Sequence, residues 1–137
     1  MSPTSLPNVF NVWHASSDWT ETVVSSGKCL LSRPYQTPFL FSSLVLSARL
    51  RLPPESSALL EVQFQTPHGW SGFYKLGLFL PASLHSFPVY QDAQGRVEID
   101  EACPAEASSA YRFRLTLSGQ VQVDFVAAAL VRADFHY

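Results

Sequence analysis

Apolar and polar residues alternate with a period of two through four separate stretches of this chain, and no stretch of useful length keeps a helical period. Leu44, Leu46, Ala48, Leu50 and Leu52 fall on one face, against Val45, Ser47, Arg49 and Arg51. Leu60, Val62 and Phe64 oppose Glu61, Gln63 and Gln65, and Tyr74, Leu76, Leu78 and Leu80 share a third face. Tyr111, Phe113, Leu115 and Leu117 oppose Arg112, Arg114, Thr116 and Ser118. After the turn Ser118-Gly119-Gln120, Val121, Val123, Phe125, Ala127, Ala129 and Val131 continue the inward face. The outward face there changes from Gln122 and Asp124 to Val126, Ala128 and Leu130, which predicts cover on both sides. The period requires strands, so the expected fold is all-β: an antiparallel β-sandwich, jelly-roll-like or Greek-key, of roughly eight to ten strands.

The remaining segments supply shorter strands and punctuation. Residues 1–7, with two prolines, read as a flexible N-terminal arm, and 8–137 as a single domain. Short strands are expected over 9–13, 18–24 and 28–32, the last two joined by a Ser25-Ser26-Gly27 hairpin. Pro34 and Pro38 suit an edge or a crossover between sheets, and Pro53-Pro54 stops the strand before it. Residues 81–88 form a proline-bounded loop, Val89 and Tyr90 add a residue or two of strand, and Asp92-Ala-Gln-Gly95 is a turn in which Gly95 supplies the tight bend. Residues 101–109 read as a small-residue loop.

A chain of 137 residues can bury roughly two thirds of its unfolded surface, so no covalent staple is required. Nine Lys plus Arg against eleven Asp plus Glu, without a basic cluster, leave little for phosphates to hold, which argues against nucleic acid. The first residues have no basic n-region and no unbroken apolar h-region, so a soluble, cytoplasmic chain is expected unless a signal has been removed. No apolar run is long enough to span a bilayer. Cys29 and Cys103 lie far apart, outside any CxxC or metal-ligand spacing, and Cys29 reads as a small core residue rather than half of a disulfide. No cofactor motif occurs.

Three sets of residues carry candidate chemistry. Cys103, His85 and Asp92 sit on neighbouring loops and would be the nucleophile, base and orienting group of an independent hydrolase, although no helix start follows Cys103 to lower its pKa. His14, His68, His85 and His136 lack HxH or HxxxH spacing and read mostly as surface loop residues. Asp92, Glu98, Asp100 and Glu101 are the candidate oxygen ligands for Ca²⁺, fewer than the six or so that ion takes; outward carboxylates on a solvated strand are the commoner reading. Trp70, Phe73 and Tyr74, with Phe79 and Phe87 nearby in sequence, are large rings where a loop is usually polar. They read either as a binding platform for a sugar or a neighbouring domain, or as a plug over one end of the sandwich.

The order of these features resembles a known family. Phe41, Leu44, Val45 and Ser47, then Trp70, Ser71, Tyr74, Leu76 and Gly77, then Ser86, Gln91, Asp92, Gly95, Val97 and Asp100, then Ala110, Arg114 and Leu117 follow a pattern. It resembles the β-sandwich region ahead of the peptidase domain in bacterial C39-like, papain-type cysteine peptidases, over residues 38–132. The family's Ser-Trp is Ser47-Ala48 here, and its second aromatic before Tyr is Phe73. The papain-like catalytic Cys, His and Asn or Asp have no counterpart. The resemblance therefore implies a non-catalytic accessory domain whose partner is a peptidase domain in cis. The alternative is a carbohydrate-binding module for a glycan or cell-wall ligand, built on Trp70, Phe73 and Tyr74. The shared Asp92, Asp100, Gly95, Trp70 and Tyr74 would then specify the fold, the two aspartates by accepting backbone N–H bonds.

Overall fold

The computed structural model describes residues 9–14, 19–25 and 27–133. The arm expected over residues 1–7, and His136, lie outside these. The described residues form thirteen strands and no helix. They are β1 (Val9–His14), β2 (Thr20–Val24), β3 (Gly27–Leu31), β4 (Tyr35–Arg51), β5 (Ser57–Thr66), β6 (Gly69–Trp70) and β7 (Tyr74–Leu80). After these come β8 (Ser83–His85), β9 (Tyr90–Gln91), β10 (Gly95–Glu98), β11 (Glu101–Pro104), β12 (Ser108–Ser118) and β13 (Gln122–Arg132). The strands beyond the expected number are the two- and three-residue β6, β8 and β9, too short to show a period.

All pairings are antiparallel. One layer runs β8-β7-β5-β12-β3-β2, and the other β1-β13-β4-β11-β10-β9. The 17-residue β4 joins them, because Tyr35 and Gln36 pair with β12 while residues 41–51 pair with β13. The crossover expected at Pro34 and Pro38 is therefore a strand that changes layer. Thr37 ties the bend, its hydroxyl reaching the carbonyls of Phe39 at 2.6 Å and Ser109 at 3.0 Å. Ser32 bridges β3 to β4 along the same edge of β12: it accepts the Phe113 N–H on Oγ and donates its own N–H to the Phe113 carbonyl, both at 2.9 Å. A two-layer core forms between the alternate faces of β4, β5, β12 and β13. It includes Leu44, Leu60, Val62, Phe64, Phe113, Leu115, Val126 and Leu130, all fully enclosed.

Two strands depart from the expected facing for one reason. In β13 the buried residues are Val126, Ala128 and Leu130, not Ala127, Ala129 and Val131. The register shifts between Val123 and Phe125, and the extra residue, Asp124, turns outward to lie 3.5 Å from Arg49 and 3.7 Å from Arg51. In β7 Leu60 pairs Gly77 while Glu61 pairs Lys75, so Leu76 is the extra residue. Beyond it Phe79 packs on the core, and Leu78 and Leu80 do not. A bulge moves every later side chain to the other face. The expected loop over 101–109 contains β11, whose alanine and cysteine lack the large alternating residues that mark a strand; Ala102 is nonetheless buried at its centre. No helix among the described residues is long and apolar enough to cross a membrane.

Candidate ligand-binding site

The loop after β5 folds back over the outer face of its own layer. Gln63 and Glu61 on β5 stand directly opposite Arg112 and Arg114 on β12. Arg112 hydrogen-bonds Gln63 and lies 4.9 Å from the centre of the Trp70 ring. Arg114 binds Glu61 at 3.0 Å and covers the Phe73 ring at 3.9 Å. Each ring thus rests on a guanidinium that is itself held from below. Ser71, between the two aromatics, is buried: its hydroxyl accepts the Phe64 N–H at 3.1 Å and its carbonyl accepts Gln63 Nε2 at 2.6 Å.

The same loop is locked to the Asp92–Gly95 turn of the other layer. The Tyr74 hydroxyl donates to Asp92 Oδ1 at 2.7 Å, and the N–H groups of Gln94 and Gly95 reach that oxygen at 2.9 and 3.0 Å. Gly72 N–H donates to Gln94 Oε1 at 3.3 Å. Partial burial pushes the Asp92 carboxyl up, but the hydrogen bonds from Tyr74, from Gln94 and Gly95 N–H, and from Tyr90 outweigh it and hold the group below the usual carboxylate range. Burial, and then the bonded Asp92 anion, push the Tyr74 phenol upward. Gly95 has no positive φ; it is needed because a Cβ there would stand 2.5 Å from Phe64 Cζ and 2.9 Å from the Cys103 carbonyl oxygen. The tight bend expected of Gly95 is therefore a close approach to the core. The residues of the WSGFY and DAQG segments form one interlocked unit, whereas Asp100 is exposed and takes no part in it.

Tyr74 is only 3% exposed and stacks on Phe64 with ring centres 5.2 Å apart, so it is a core residue and not part of a platform, contrary to the sequence reading. Trp70 and Phe73 are half-buried. Beside them residues 86–90 cross from one layer to the other. Together with Phe73, Tyr74 and Lys75 they enclose an open pocket of about 370 Å³, walled by Phe87, Val89 and Tyr90. Tyr90 is 56% exposed, and Lys75 Nζ lies 5.4 Å from the centre of the Phe87 ring. Phe87, which the sequence places near the platform, does line the pocket, but sequence reasoning missed Tyr90 and Lys75 beside it, because nothing local shows that a proline-bounded loop returns beside β7.

The other candidate sets are not assembled. Cys103 donates to Glu101 at 3.5 Å, His85 bonds Ser83, and Asp92 is taken up as above, so the three make no triad. Burial, then Glu101, push the Cys103 thiol up to about 11, opposite to what a nucleophile requires. Cys29 and Cys103 are both free. Of the calcium candidates, Asp92 is bonded by Tyr74 and backbone, Glu98 pairs Arg96, and Glu101 accepts from Ser43. Among the described residues no three His, Cys, Asp or Glu converge as a metal site. His14, one of the four histidines read mostly as surface loop residues, is 7% exposed: it stacks on Tyr35 at 3.7 Å, and its Nε2 lies 2.6 Å from the Tyr111 hydroxyl. Burial, then Arg33, lower its pKa to about 4.

No protein family and no curated protein matches this chain. A structure of infectious bursal disease virus, Gt strain, is similar over 99% of this chain and 36% of its own, with a TM-score of 0.51 at 7% identity. That is a likeness of fold, and it agrees with the antiparallel sandwich described above. A crystal structure of PirA covers 95% of this chain and 98% of its own at 12% identity, with a TM-score of 0.32, too low to bear on the fold.

Proposed function

We propose that this chain is a non-catalytic β-sandwich domain that acts by binding, with the aromatic pocket of Phe73, Phe87, Tyr90 and Lys75 as its contact site. The carrying observation is that pocket: the exposed Tyr90 ring and the half-buried Phe73 and Phe87 around an open concavity, on a frame fixed by the Tyr74–Asp92 interlock. Preorganised walls reduce the ordering cost of binding. The interlock also supports the accessory-domain reading, because residues shared with the region ahead of C39-like peptidases hold the loop in place. A peptidase domain in cis would then be the partner seated on this surface.

A second reading is a carbohydrate module, favoured by the half-exposed Trp70 and Phe73 beside the pocket, whose rings suit the C–H face of a sugar. One experiment separates the two. Titration of the protein with a panel of glycans and cell-wall fragments is followed by tryptophan fluorescence, in wild type and in Tyr90→Ala, an exposed position where folding is retained. A saturable response weakened about tenfold by the substitution selects carbohydrate. No response across the panel removes that reading. An affinity unchanged in Tyr90→Ala overturns the pocket as the site.

A further inference from the structure

A second opening lies between the layers, away from the aromatic pocket. β11 pairs with β4 only at Leu44 and Val45, and no other described strand pairs with that edge from Leu46 to Arg51. The sandwich is open there. Behind the gap is a slot of about 200 Å³, floored by Leu46, Leu60 and Leu76 and flanked by Gly77 and Leu84. Gly77 is the reason the slot exists. The β7 bulge turns it inward, and a Cβ on it would point at Leu84 Cδ1, 3.0 Å away. A glycine in mid-strand weakens the strand and marks a place where something approaches closely.

The rim has its own character. Leu84 is 58% exposed, and Ile99, 62% exposed, holds φ +58°, which a β-branched residue rarely adopts. That turn places Asp100 on the lining of the slot, and its carboxylate has neither an ion pair nor a hydrogen bond among the described residues. Thus an apolar slot of side-chain size, an unsatisfied strand edge and an unneutralised carboxylate meet at one place.

We propose that this opening docks an extended peptide segment in which a lysine or arginine stands two residues from a leucine-sized side chain, so that both point to the same face of the strand. The peptide backbone pairs with the free edge of β4, the aliphatic side chain fills the slot beside Gly77, and the cation faces Asp100. Main-chain pairing supplies affinity and the slot supplies selectivity, as in strand addition generally. Charge complementarity selects a peptide over an uncharged apolar ligand.

The test uses the full chain and fluorescein-labelled peptides in an anisotropy titration. The probe is Gly-Lys-Thr-Leu-Val, compared with Gly-Lys-Thr-Ala-Val and Gly-Glu-Thr-Leu-Val. Saturable binding is expected, with the alanine probe at least about tenfold weaker and the glutamate probe about fivefold weaker. Asp100→Asn should abolish the preference for lysine over glutamate while leaving the leucine preference. Gly77→Val fills the slot from one layer and Ala48→Leu from the other. Either one, shown by circular dichroism to be folded, should remove binding. The proposal is overturned by no saturable binding to wild type at millimolar peptide, by equal affinity for the leucine and alanine probes, or by wild-type affinity in a folded, filled variant. A concentration-dependent dimer that filling abolishes, without peptide binding, would overturn it in favour of a second copy.

Discussion

The loop of residues 69–73 and the β2–β3 hairpin are both short connections containing serine and glycine, yet they behave oppositely. In the loop, Ser71 is buried, Gly72 and Tyr74 are bonded across to the other layer, and both aromatics lie on cations. In the hairpin, every residue of β2 is exposed and Val23 is 79% so. Its ion pair, Lys28 to Glu21 at 3.2 Å, lies on the surface, where such pairs contribute little. The difference teaches that burial of the partner, not the composition of the turn, decides what a turn contributes to stability.

Substitutions sharpen that contrast. Gly95→Val should be the most damaging, because the new side chain meets Phe64 and the Cys103 carbonyl with no space to yield. A loss of about 3 kcal/mol is expected, lowering Tm by roughly 10 °C in a thermal melt. Asp92→Ala leaves the Tyr74 hydroxyl and two backbone N–H groups without their acceptor and should cost about 2 kcal/mol by denaturant titration. The pH dependence has a definite sign. A carboxyl held below its unfolded value contributes stability that is present above about pH 4 and lost as pH falls through its lower folded value. Asp92→Asn should flatten the acid limb of the stability curve.

His14 extends the comparison to a third place. The unfolded imidazole binds its proton near 6.5 and the folded one near about 4, so its contribution is complete above 6.5 and falls as pH drops toward 4. Wild-type stability measured from pH 7 to pH 4 should decline in that window, and His14→Phe should decline less. At the other extreme, Val23→Thr on the exposed β2 should change stability by less than about 0.5 kcal/mol. A large loss there would break the contrast.

The alternation of Leu44 to Leu52, Leu60 to Phe64 and Tyr111 to Leu117 made the central strands legible, because each keeps its period across its whole length. β13 and β7 were legible as strands and misread as faces, since Asp124 and Leu76 are ordinary residues in sequence and become bulges only against a partner. For the site, the role of Asp92 as an acceptor of backbone N–H bonds was legible from the turn Asp-Ala-Gln-Gly. Tyr74 was misplaced because an aromatic beside a glycine loop looks the same whether it faces solvent or Phe64. His14 was hidden by distance: Tyr111, its partner, lies 97 residues away.

β4 has one more consequence. Because a single strand is a member of both layers, the molecule has no seam along which its halves could part. A protease cut inside residues 41–51 would strip β13 of its neighbour and take the bridge between layers with it. A cut in the largely exposed chain of residues 81–89 would sever a surface crossing, and the pieces on either side of it would each keep strands that belong in the other's sheet. Cleaved there, the protein should migrate as one particle until it is denatured.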